Sequence, residues 1–232
     1  MSMNFNGKDF AFNGAKIKLL GDSITHGVGG SGFMQNGEHI AENFARNKDG
    51  FCWAKLFHEK MEREYGARVV NNACTGTKIE FVIDHIDTLV DDDDDLIICT
   101  IGTNNRHQYM KNAPKRSRDE LAEKFYRNVL KLNEMLVTKN KRFILVANIP
   151  ASVQNEKDGA DFWRILHMND INDIYKRASA SAGFAFISMY DLMTDYLEKS
   201  GIELDTLLRD GLHPNDEGYR VMFDLICRAL GV

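Results

Sequence analysis

Leu96-Ile-Ile-Cys-Thr-Ile101 and Phe143-Ile-Leu-Val-Ala-Asn-Ile149 are short runs with almost no polar break. A half-buried strand alternates apolar with polar residues, whereas a strand covered on both faces does not. Both runs therefore read as covered strands. Ala15–Leu20 (AKIKLL), Arg68–Ala73 (RVVNNA) and Phe184–Tyr190 (FAFISMY) are three further runs of the same kind. Helical patterns separate them. Ser117-Arg-Asp-Glu120 has the spacing of a capping box, and Leu121, Phe125, Val129, Leu132 and Leu136 recur on one face behind it. Tyr219, Met222, Phe223, Ile226 and Leu230 form a last apolar stripe, opened by Asn215 as an N-cap. Strand and helix in alternation predict an α/β fold, a parallel sheet with helices on both faces.

At 232 residues the chain is long enough for one large core, and no shift in composition marks a linker, so 1–232 is expected to be a single domain. An insert at about 29–50 interrupts the alternation, since Gly27–Gly50 is long for a strand-to-helix loop. No window of 18 apolar residues exists, which argues against a membrane-spanning helix. Net charge is −5 without a basic stripe, so nucleic acid is not the expected partner. The opening MSMNFNGKDFAFNGAK has no basic segment followed by an apolar one, and no signal peptide is visible in it. Cys52, Cys74, Cys99 and Cys227 have no CxxC or framework spacing, which points to a reducing, cytoplasmic setting.

Ligands of an open parallel sheet bind beyond the carboxyl ends of its strands. The first strand exits into Gly21-Asp22-Ser23-Ile24, the second leads to Asn72–Gly76, and the third ends in Gly102-Thr103-Asn104-Asn105. Asp210-Gly-Leu-His213-Pro-Asn215 precedes the last helix. A serine hydroxyl becomes a useful nucleophile when a base takes its proton, and histidine is suited to that near neutral pH. The histidine in turn needs an acceptor on its other nitrogen, and Asp210 is three residues away. The Ser23 N–H, a backbone N–H at Gly76 and the Asn104 amide are candidate donors to an oxyanion. Asp22, His26, Asn105 and His107 lie beside these blocks and are candidate substrate-pocket residues.

Together, GDSIT at 21–25, the glycine at 76, GTN at 102–104 and DGLHPN at 210–215 resemble the SGNH (GDSL-type) hydrolase family. That resemblance implies a three-layer α/β/α sandwich on a flavodoxin-like parallel sheet. It further implies Ser23 as nucleophile, His213 as base, Asp210 as its orienter, and an oxyanion hole of Ser23, Gly76 and Asn104. The third block commonly reads GxND in the family, and Asn105 stands here in place of the acid. A serine ester hydrolase that works through an acyl-serine is expected, removing a short acyl such as acetyl from a polar carrier such as a carbohydrate. Other readings remain: a lysophospholipase or thioesterase, a sugar O-acetyltransferase, or a non-catalytic flavodoxin-like module that binds phosphate or nucleotide.

No cofactor and no metal are expected. HExxH and paired Cys/His spacings are missing, and the run Asp91–Asp95 lacks calcium-loop spacing, so it reads as a solvated helix end or loop. Gly27-Val-Gly29-Gly-Ser-Gly32 matches GxGxxG, but it starts six residues after the strand. A flexible loop is the better reading than a dinucleotide cradle. Within the insert, Ile40 and Phe44 suggest a short amphipathic turn, and the whole 29–50 segment is expected to act as a flap over the acyl group. Oligomeric state is not legible.

Overall fold

A computed structural model describes residues 4–5, 8–32, 50–109 and 114–232. The α/β expectation holds. Five strands form one parallel sheet: β1 Lys16–Gly21, β2 Arg68–Asn71, β3 Leu96–Thr100, β4 Arg142–Val146 and β5 Ala185–Ile187, in the order β2-β1-β3-β4-β5. This is the flavodoxin-like order, in which the chain reverses direction across the sheet between β1 and β3. In register, Leu19 lies beside Asn71 on one side and Ile98 on the other.

Period-two alternation explains the unbroken apolar runs. Ile17, Leu19, Leu96, Ile98, Ile144 and Val146 face one core, while Leu20, Ile97, Cys99, Phe143 and Leu145 face the other. The first core is closed by α2 (Trp53–Tyr65), α7 (Met189–Ser200) and α8 (Asp216–Leu230). Four helices close the second: α3 (Ile79–Asp84), α4 (Ile86–Leu89), α5 (Arg118–Thr138) and α6 (Met168–Ala182). The short α1 (Ser23–His26) follows β1 directly. Both helix starts read from the sequence are present, the Ser117/Glu120 capping box and the Asn215 cap, which accepts from Gly218 N at 3.0 Å. Among the described residues no helix is long and apolar enough to cross a membrane.

Two expectations are corrected and one is refined. The Phe184–Tyr190 run is not one strand: Ser188 leaves the sheet and caps α7 by accepting from Asp191 N at 3.2 Å. The acidic run is a solvated loop as expected, with Asp94 alone buried, and it also holds two lysines. It lies at the amino ends of the strands, where the buried Lys18 reaches Asp91 at 2.7 Å and Asp94 at 3.5 Å, and Lys16 pairs with Asp93. Gly29–Gly32 is not a loose glycine stretch. A β-carbon on Gly30 would strike the Phe51 carbonyl oxygen, and Ser31 donates its N–H and hydroxyl to Asp216, each at 2.7 Å. Tertiary contact overrides glycine's freedom there. The Ile40/Phe44 turn, like 33–49 altogether, lies outside the described residues.

Candidate active site

At the carboxyl end of β1 the chain must turn in a confined space. A β-carbon on Gly21 would lie 2.6 Å from Thr100 Oγ1 and 2.7 Å from Thr25 Oγ1, so a larger residue does not fit. Asp22 then caps α1, accepting the Ile24 N–H at 3.1 Å on one oxygen and the Asn148 amide at 3.2 Å on the other. Burial raises the Asp22 pKa, against hydrogen bonds from Thr103 and Ile24 and the nearby His213. The capped turn fixes Ser23 as the first residue of α1, only 5% exposed.

His213 arrives from the other end of the fold. Its Nε2 is 2.8 Å from Ser23 Oγ, across 190 residues of sequence, and its Nδ1 is 2.7 Å from Asp210 Oδ2. A carboxylate only accepts, so Nδ1 carries the hydrogen and Nε2 is free to accept from the serine hydroxyl. The other Asp210 oxygen accepts the N–H groups of His213 at 2.8 Å and Leu212 at 3.1 Å. Burial raises the Asp210 pKa, but these donors and the imidazole outweigh it and hold the carboxyl below its ordinary range. Two neighbours brace the turn from outside. Gly29 packs against His213 and Pro214, and Ser152 N donates to the Gly211 carbonyl at 2.8 Å.

The remaining candidate donors are drawn to the same edge. Cys74 N donates to Gly21 O at 3.0 Å, which docks the loop carrying Gly76 beside the Ser23 turn. Gly76 itself has φ +78° and open space around its α-carbon. Asn104 sits in the 3-10 turn Thr103–Arg106 and donates one amide hydrogen to Thr77 O at 3.0 Å, leaving a second for another acceptor. The three strand exits named from the sequence are thus tied to one another by direct hydrogen bonds.

Of the candidate pocket residues, His26 ends α1 with Nδ1 at 3.3 Å from Thr75 Oγ1. The sequence places Asp22 and Asn105 in the pocket, but both are buried beneath it. Asp22 is fully enclosed, and Asn105 uses its amide on Ile79 N at 3.0 Å and Glu80 at 2.8 Å. In place of the acid of GxND, Asn105 therefore acts as a brace between the Asn104 turn and α3. His107 is nine-tenths buried and opens an antiparallel ribbon, His107–Tyr109 with Phe162–Arg164, beyond the sheet.

A second layer of polar residues escapes sequence reasoning. Asn148, just past β4, donates both to Asp22 and to Thr103 Oγ1 at 2.6 Å, joining the Ser23 and Asn104 turns. Arg106 is entirely enclosed, pairs with Glu156 at 2.9 Å, and bonds Asn155 Oδ1 at 2.9 Å and Thr103 O at 3.1 Å. Isolated polar residues in a loop carry no periodic signal. The one available clue is an Asn at the carboxyl end of a sheet strand.

Comparison with known proteins gives a consistent result. Residues 19–221 match the model of the GDSL-like lipase/acylhydrolase family. No curated protein matches the chain. Among solved structures, LAE5, an alpha/beta hydrolase from the metagenome of Lake Arreo, Spain, is similar with a TM-score of 0.72 at 20% identity, over 96% of this chain and 98% of that one. Axe2, an acetylxylan esterase from Geobacillus stearothermophilus, is similar with a TM-score of 0.71 at 19% identity, over 95% of each chain. Catalytic mutants of Axe2 replace a serine, an aspartate or a histidine by alanine, the last two being three positions apart.

Proposed function

This chain belongs to the GDSL-like lipase/acylhydrolase family, and from that premise we propose that it is a serine esterase acting through an acyl-serine intermediate. The observation that carries the proposal is the continuous hydrogen-bonded series Ser23–His213–Asp210 at 2.8 and 2.7 Å. Ser23 Oγ attacks the ester carbonyl carbon as its proton passes to His213 Nε2. The former carbonyl oxygen becomes an oxyanion, held by the Ser23 and Gly76 N–H groups and the second Asn104 amide hydrogen. Its collapse breaks the bond to the alcohol oxygen, which takes the proton from His213 and leaves. Water then repeats the sequence on acyl-Ser23 and releases the acid. Asp210 keeps the imidazole in the required tautomer and offsets its positive charge while it is protonated.

The substrate we propose is a short acyl ester, acetyl above all, on a polar carrier such as a carbohydrate. Support comes from the likeness to Axe2 in fold and from the polar character of the surrounding loops. Residues 1–232 work as one domain, a reading supported by the two cores that share a single sheet. Cys52, Cys74, Cys99 and Cys227 are buried and joined by no disulfide, which suits the cytoplasmic setting proposed for it. The test is a fluorophosphonate probe with a panel of esters from acetyl to palmitoyl and acetylated oligosaccharides. One label on Ser23, absent from Ser23→Ala, with turnover greatest on acetyl esters, is expected. Equal labelling of Ser23→Ala would sink the assignment.

A further inference from the structure

Beside the candidate oxyanion loops the protein displays donors that no acceptor answers. Lys78 stands two residues beyond Gly76, and its ammonium lies 5.4 Å from the centre of the Tyr109 ring. Among the described residues it makes no ion pair. The nearest acid in sequence, Glu80, is taken by Lys124 at 2.8 Å and by the Asn105 amide at 2.8 Å. Tyr109 is 54% exposed, so this corner is open to solvent.

His107 stands three residues beyond Asn104 and packs edge-on against the same Tyr109 ring, with centroids 4.3 Å apart. Its Nδ1 is 3.2 Å from Arg164 Nη1. Arginine can only donate, so Nδ1 is the acceptor and the hydrogen of the neutral ring sits on Nε2. That Nε2–H is buried and has no partner among the described residues. Arg164 is itself fixed, by Asn155 O at 3.1 Å and by its place over the Phe162 ring at 4.9 Å. Burial, with Lys78, Arg164 and Arg106 nearby, depresses the His107 pKa to about 3 and keeps the ring in this neutral, donating form. Burial likewise lowers the Lys78 pKa, against the attraction of Glu80, and the neighbouring Lys124 and Arg116 add to the depression.

A buried donor without an acceptor costs free energy, and a half-buried cation that no carboxylate contacts directly costs more. A carboxylate answers both, since it only accepts and has two oxygens to share. We propose that Lys78 and His107, the latter oriented by Arg164, form a subsite for a carboxylate carried by the substrate ester. The inference rests on the esterase reading and narrows it: the preferred ester is an acid as well as an ester. Tyr109 supplies the flat wall against which the group bearing the carboxylate lies.

The experiment compares kcat/KM within matched pairs. One pair is an O-acetylated uronic acid against the O-acetylated neutral hexose, which puts the charge on the alcohol side. Another is a hemisuccinate against a butyrate of one common alcohol, which puts it on the acyl side. Wild type should favour the charged member of one pair by about tenfold, roughly the worth of one charge-assisted contact. Lys78→Met should bring that ratio close to one, and Lys78→Arg should restore most of it. Raising the salt concentration should shrink the wild-type ratio, as screening requires. Equal rates within both pairs, or a preference that survives Lys78→Met, would overturn the subsite while fluorophosphonate labelling of Ser23 left the esterase reading standing. Absence of both labelling and turnover would overturn the two together.

Discussion

Gly29 lies directly against His213. A β-carbon at position 29 would come within 2.9 Å of His213 Cβ and closer still to the Pro214 carbonyl oxygen, and the backbone there has φ +101°. Gly29→Ala therefore strains its own segment and pushes the imidazole away from Ser23. The expected outcome is a fall in kcat of at least tenfold and a matching fall in the rate of fluorophosphonate labelling, with the fold retained by circular dichroism. Unchanged labelling would mean that the histidine turn is not seated on Gly29.

Asp210→Asn keeps the shape of the turn but lets the side-chain amide donate toward Nδ1. The imidazole then favours the tautomer with hydrogen on Nε2, which cannot accept the serine proton. A loss in kcat on the order of 10²–10⁴ is expected, with KM little altered. The lower part of that range is favoured because Asp210 is half exposed and water can replace part of its effect. Near-normal turnover would show that another group orients His213.

Asn104→Ala removes one of the proposed oxyanion donors, with an expected loss of about 10²–10³ in kcat, and with it the hydrogen bond to Thr77 O. Because that bond helps seat the Gly76 loop, the loss should approach the upper end. Single-turnover acylation, measured apart from substrate binding, checks it. An unaltered acylation rate would reduce Asn104 to a turn residue.

His107 makes acid stability testable. Its pKa is about 3 in the folded chain and about 6.5 in an unfolded one. Between those values the unfolded state binds the extra proton. Stability from this group is thus complete above about pH 6.5 and is lost as pH falls toward 3. The slope is at most about 1.4 kcal/mol per pH unit. His107→Gln should flatten urea-unfolding free energies across that window, and an identical pH dependence in both proteins would contradict the buried neutral ring.

The strands are legible because residues such as Ile97 and Ile98 must satisfy two different cores, which leaves no polar position to obscure the run. The candidate site is legible in its four blocks because each falls at the end of an element. Ser188 misleads because an apolar run continues across a helix cap, although Ser188-Met-Tyr-Asp191 holds the capping signal. Arg106 and Asn148 escape for a different reason. Charged and amide side chains read as surface by default, and only the three-dimensional arrangement shows that they are enclosed and hydrogen-bonded. Gly29 reads as slack because sequence reveals the freedom of a glycine but not what presses on it.

Ser23 stands at the exit of the first sheet strand, and its partner His213 comes 190 residues later, after the last. On the proposed mechanism, acylation competence therefore reports on long-range topology: the hydroxyl meets its base only when the first strand and the segment after the last are brought together. On that mechanism a nascent or partly unfolded chain carries an inert serine and forms no acyl adduct on its way to the native state. Contacts of such sequence separation also slow folding, so the appearance of esterase activity on refolding should be the last event in the time course, lagging behind secondary structure. Activity thus makes a stricter measure of nativeness for this chain than any spectroscopic signal of its helices.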